Sequence, residues 1–201
     1  MRRACNRERG ATLIELLSST LLVSILMALS YSFARAALMS ARLQETESEA
    51  QEVTVMALDM LVREIRMAGF SAAGARLTAV RTAGPDRVTV VTDLNGDGDT
   101  TDSNEVIAYG YSEEKHQLRR ATGRGSPQPL VRDVPPDAVH FSFFDARGIE
   151  ITPGEAGLTQ AERARVHRID ILLRVELPNP DPTVAVPVTS TVSSSVCLRN
   201  Q

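Results

Sequence analysis

From Leu16 to Ala34 the chain carries no charged residue. An apolar run of this length crosses a hydrocarbon core of ~30 Å as a helix, which takes roughly 20 residues. Beyond Ala34, neither Gly nor Pro interrupts the helical character before Gly69. Over that second stretch Ala50, Val53, Ala57, Met60, Leu61, Ile65 and Ala68 recur at spacings of three and four, which predicts one apolar helix face. Glu45, Glu47, Glu49, Glu52, Asp59, Arg63, Glu64 and Arg66 fill the polar positions. Gly69 suits a helix C-cap, and Arg66 places a cation in the last turn, where the helix dipole favours it. Only the first part of such a helix fits a membrane, so the second needs a soluble partner. The rest of this chain is the nearest candidate; a free coiled coil is disfavoured by a stripe rich in Ala that covers only a few turns.

After Gly69 the period changes. Residues 70–83 are rich in small side chains and read as a loop, with a short strand near Leu77 to Arg81. Past Gly84-Pro85-Asp86, β-branched and alternating segments predict strands at Arg87 to Thr92 and Glu105 to Tyr111. Further strands are expected at Gln117 to Arg120, Leu130 to Arg132, Ala138 to Phe144, Val166 to Leu177 and Thr189 to Leu198. Thr159 followed by Glu162 is a capping-box pattern and predicts a helical turn before Val166. One long helix followed by several short strands predicts an α+β chain, with an antiparallel sheet on the helix's apolar face.

Glu15, at the entry to the apolar run, is the first residue of chemical interest. A carboxylate inside a spanning helix costs on the order of 2.5–3.5 kcal/mol, so such residues usually have a partner. Two readings stand: an interfacial acid, or an acid with a job. Ahead of it Arg2, Arg3, Arg7 and Arg9 would stay on the cytoplasmic side, directing everything from Ala11 onward out of the cytoplasm. A conventional secretory signal is the competing reading; it needs a shorter apolar region and a small-residue cleavage site after it.

A basic leader ending in Gly10, then Ala11-Thr12-Leu13-Ile14-Glu15-Leu16-Leu17 and an unbroken apolar helix, resembles the class III signal of type IV prepilins and their pseudopilin relatives. The resemblance implies cleavage by a prepilin peptidase between Gly10 and Ala11, methylation of the new N-terminus, and Glu15 as fifth mature residue. The family carries Phe at the first mature position more often than Ala. The resemblance also implies a pilin-like α+β fold: leader 1–10, transmembrane and assembly half of the helix 11–34, amphipathic half 35–69, and β-rich head 70–201. Within the family, Arg63 to Phe70, the Asp/Gly-rich insert and the closing Cys197-Leu198-Arg199-Asn200 look like the PilW-type minor pilins. J-type pseudopilins of type II secretion share much of this layout, and a membrane-anchored ligand-binding module is the third alternative. The implied partners are other major and minor pilins through helix packing, the prepilin peptidase and the inner-membrane assembly platform. The implied location is a single pass of the inner membrane with the head outside the cytoplasm, then a pilus or pseudopilus. Glu15 would there meet the N-terminal amine of Ala11, on its own or an adjacent subunit.

Composition narrows the rest. The formal net charge of −3 would fall to −6 on loss of residues 1–10, whose four arginines face one glutamate. Such a chain has no electrostatic case for wrapping nucleic acid, and no specific nucleic acid is expected. Cys5 lies in the leader, so a trimmed chain keeps Cys197 alone and has no internal disulfide. Cys197 reads as a small buried residue or as a thiol open to intermolecular pairing.

No enzyme motif is present: His116, His140 and His167 are scattered, and the latter two fall in predicted strands as structural residues. Arg119, Arg120, Arg124 and Arg132 read as a solvated basic face. The candidate for ligand chemistry is Asp93-Leu94-Asn95-Gly96-Asp97-Gly98-Asp99. Asp93, Asn95, Asp97 and Asp99 alternate as calcium ligands do, with Gly98 at the sharp turn. Glu105 falls one residue late for the usual bidentate carboxylate. The competing reading is an acidic hairpin whose side chains cap their own backbone. Calcium is the one candidate cofactor, set against the self-capped hairpin, and no other cofactor is implied.

Overall fold

The computed structural model describes residues 12–198. It begins with one helix, α1, Leu13–Met67. Residues up to Gln44 and those from Glu45 onward form two separate compact units.

In the first unit α1 is uncovered, with Leu13, Ile14, Leu17, Leu22, Leu26, Met27, Tyr31 and Phe33 all exposed. It is long and apolar enough to cross a membrane by length and composition. Its hydroxyls turn back onto their own helix: Ser19 Oγ donates to the Glu15 carbonyl at 2.7 Å, Ser24 Oγ to Thr20 at 2.7 Å and Ser32 Oγ to Leu29 at 2.8 Å. Each of these hydroxyls is thereby satisfied without water, an arrangement compatible with an apolar surrounding.

In the second unit the helix buries Ala50, Thr54, Ala57, Leu58, Leu61 and Ile65. The stripe differs from the expected one. Thr54 and Leu58 face inward, whereas Val53 is exposed and Met60 only half-buried. Thr54 tolerates complete burial because its hydroxyl donates to the Ala50 carbonyl at 2.5 Å. α1 ends at Met67, and Gly69 reverses the chain at φ +77°, a conformation that favours glycine. The Gly69 N–H then donates to the Val91 carbonyl at 2.8 Å, tying the helix exit to the sheet.

All strands pair antiparallel, in two sheets rather than one. The first has the order β1 (Val80–Gly84), β2 (Arg87–Val91), β3 (Val106–Ser112), β4 (Gln117–Thr122), β5 (Gln128–Val131). The second comprises β6 (Val139–Phe144), β7 (Arg168–Leu177) and β8 (Val188–Cys197), in that order. Pro129 in β5 sits on a sheet edge, where a missing N–H is tolerated. Period-two burial is clearest in β7, where Ile169, Ile171, Leu173 and Val175 point inward. Arg168, Asp170, Arg174 and Glu176 alternate with them as ion pairs along the other face, Arg168 to Asp170 and Arg174 to Glu176.

Leu61 and Ile65 of α1, with Ala68 just past its end, share one apolar cluster with Val88, Tyr109 and Leu118 of the first sheet and Phe141, Phe143 and Ile171 of the second. The sheets also meet through backbone: Phe141 N–H donates to the Pro85 carbonyl at 2.8 Å. The expected turn after Thr159 is α2, Gln160–Arg163, with both capping-box bonds formed. His167 lies just ahead of β7 rather than in it, and both His140 and His167 are exposed. Cys197 is exposed as well, which overturns the reading of it as a small buried residue and leaves that of an accessible thiol: at the end of β8 its side chain alternates away from the buried Val196 and Leu198.

Candidate functional site

Gly10 and Ala11, the expected cleavage pair, lie outside the described residues, as do Arg199 and Asn200. Glu15 is described. It occupies the third position of α1 and forms a reciprocal capping box with Thr12. Thr12 N–H and Thr12 Oγ1 both donate to Glu15 Oε2, at 3.0 and 3.1 Å, and Glu15 N–H donates to Thr12 Oγ1 at 3.3 Å. The pairing gives the acid a local role that the sequence reading missed, although Thr12-x-x-Glu15 is itself the capping-box pattern. It offsets part of the cost of placing a carboxylate at the apolar end of the helix, and satisfies donors that would otherwise be orphaned.

The Asp93 loop joins β2 to β3. Asp93 is fully buried. Its Oδ2 accepts from Ser71 Oγ at 2.8 Å and its Oδ1 from Gly96 N–H at 2.7 Å. The backbone of Asp93 also bridges Phe70 and Ala72, so the loop's first residue is stitched to the segment that leaves α1. Glu105, at the other end, is 2% exposed. Its Oε1 accepts from the N–H groups of Leu94 and Asn95, at 2.8 and 3.3 Å, while Oε2 is buried without a partner.

Asn95, Asp97 and Asp99 are exposed. Each accepts from the backbone N–H two residues on: Asp97 at 3.0 Å, Asp99 at 2.8 Å and Thr101 at 3.0 Å. Thr101 Oγ1 donates to Asp99 too and lowers that carboxyl below the ordinary range. Asn95 Nδ2 stands between Asp97 Oδ2, at 2.9 Å, and Asp102 Oδ2, at 3.1 Å. Gly96 and Gly98 take φ of +78° and +79°, which lets the chain turn between these Asx steps. Among the described residues, no three carboxylate, imidazole or thiol groups converge on one point.

The sequence reading also missed a polar knot inside the head. Arg120, expected on a solvated face, instead grips Glu64 of α1 with both ends of its guanidinium. Tyr109 Oη donates to the same carboxylate. Arg119 turns to the Pro127 carbonyl, and Arg124 and Arg132 are exposed, so the four arginines form no common patch. His140 shares a shallow surface pocket with Ser142, Asp170, Ser193, Ser194 and Ser195, and makes no hydrogen bond to any of them, while His116 Nδ1 lies 3.4 Å from Tyr111 Oη.

No protein-family model matches the chain, and no curated protein does. Among solved structures it is similar to a type IV-like pilin from Thermus thermophilus, at 18% sequence identity and a TM-score of 0.46, over 74% of this chain and 96% of that one.

Proposed function

We propose that this chain is a pilin-type structural subunit, cut between Gly10 and Ala11 and assembled into a filament through α1; the finer reading is a minor pilin of a type IV pilus. The observation that carries the proposal is the division of labour along α1. One part presents apolar side chains on every side, while the other buries a single stripe under antiparallel strands. A membrane anchor alone explains the first. A subunit that exchanges lipid for neighbouring helices explains why the apolar surface is joined without a break to a folded head. The leader arginines and the Gly10-Ala11-Thr12-Leu13-Ile14-Glu15 word supply the processing signal.

In this reading Glu15 carries the register. Its carboxylate already holds Thr12, and two oxygens with about four lone-pair sites leave capacity for an ammonium. The N-terminal amine of Ala11 on a neighbouring subunit is the proposed partner. Pairing there neutralises a charge that would otherwise oppose burial among apolar helices. Glu15→Ala should leave cleavage intact and remove the chain from sheared filaments. Normal incorporation of that variant contradicts the mechanism. Loss of protein secretion in place of pilus function would assign the chain to the pseudopilins.

A further inference from the structure

We infer that the β2–β3 loop is a calcium site, with Glu105 as its buried ligand and Asp97 and Asp102 as the carboxylates that close on the ion. The inference starts from Glu105, not from the acidity of the loop. Its side chain is nearly inaccessible, its Oε1 is fastened to the loop's own backbone at Leu94 and Asn95, and Oε2 beside it has no donor. Asp93, also buried, lies at the other end of the same loop. Among the described residues, neither carboxylate has an ion-pair partner; Arg81, which reaches the loop, donates to Thr100. Buried charges are paired or bind metal, because an uncompensated ion costs several kcal/mol in a low-dielectric interior. A hard divalent cation supplies the missing charge, and all the candidate ligands are oxygens, which suits calcium.

Hydrogen bonding refines the ligand set expected from the spacing. Asp93 already holds Ser71 and Gly96, and Asp99 holds Thr101 with both oxygens. These two shape the loop. Asp97 and Asp102 are bridged by one amide donor, Asn95 Nδ2, on the residue whose N–H reaches Glu105, and the other oxygen of Asp97 accepts from Asp99 N–H. Binding requires these exposed carboxylates to swing toward Glu105 Oε2. Because Asp93 is sewn to Phe70, Ser71 and Ala72, an ion held there would clamp the exit of α1 to the first sheet.

The test is calcium titration of the full chain in detergent micelles, by calorimetry and by thermal unfolding, with magnesium in parallel. Neither measurement depends on filament assembly, so the site and the pilin reading stand or fall separately. The expected result is one site with a Kd of about 10⁻⁴–10⁻³ M, the extracellular range, and a rise in Tm with calcium exceeding that with magnesium. Asp97→Asn, on the surface, should weaken binding about tenfold without disturbing the fold; Glu105→Gln should abolish it. No calcium heat at 10-fold excess over that range overturns the inference. So does a Tm rise equal for both ions and unchanged in Asp97→Asn, which marks general screening of an acidic surface.

Discussion

Glu64 of α1 and Arg120 of β4 form a bidentate pair, Nη2 to Oε1 at 2.7 Å and Nε to Oε2 at 2.9 Å. They are 56 residues apart in sequence, and their side chains are 19% and 26% exposed. Two parallel charge-assisted bonds fix both distance and direction, so the pair orients the helix on the strand where apolar contacts alone would let it slide. Partial exposure places the cost of breaking it below that of a fully buried ion pair. Glu64→Gln should destabilise the head by about 1–3 kcal/mol. A double-mutant cycle with Arg120→Met, read by denaturant unfolding of the strand signal, should return a coupling of about 0.5–3 kcal/mol. A coupling near zero would reduce the pair to an incidental contact.

Tyr109 completes that knot, and it gives the head an alkaline limit. Burial pushes its phenol above the ordinary value of 10.0, and the hydrogen bond to Glu64 and that carboxylate's charge push the same way. The folded state therefore holds a proton that the unfolded chain releases near pH 10. The resulting stability is fully present below that pH and is lost as the pH rises above it. Tyr109→Phe should flatten the fall in stability above pH 10. At neutral pH it should cost about 1 kcal/mol for the lost hydrogen bond. Parallel alkaline limbs in the two proteins would show that other groups set the limit.

Cys197, at the end of β8, faces solvent. In native conditions it should react with a maleimide at a rate close to that of the denatured chain. Peptide mapping separates it from Cys5. Protection of Cys197 until the head unfolds would contradict its placement.

Some of this was legible in the residues and some was not. The spacing of Ala57, Leu61, Ile65 and Ala68 fixed the buried direction of α1, but Val53 and Met60 are as apolar as Leu58 and only packing against strands decides among them. Thr54 looked polar because its internal bond to Ala50 is invisible in a string of letters. Strand positions followed from β-branched alternation. Their partition into two sheets did not, since which of β5 and β6 pairs onward is settled by long-range contacts, not local pattern. The Asp93 loop stood out by composition, whereas the orphaned oxygen of Glu105 depends on burial under the loop. Arg120 went unrecognised for a related reason: a charge run gives no sign that one member reaches inward across the sheet to a helix.

The central claim is that α1 enters a filament as the N-terminus of a trimmed chain. Mass spectrometry of the protein recovered from its native membrane and sheared surface fraction tests it most directly. The account predicts a polypeptide that begins at Ala11, carries one methyl group on that amine and retains all of residues 11–34. A native chain that still begins at Met1, or one that has lost residues 11–34, would contradict it.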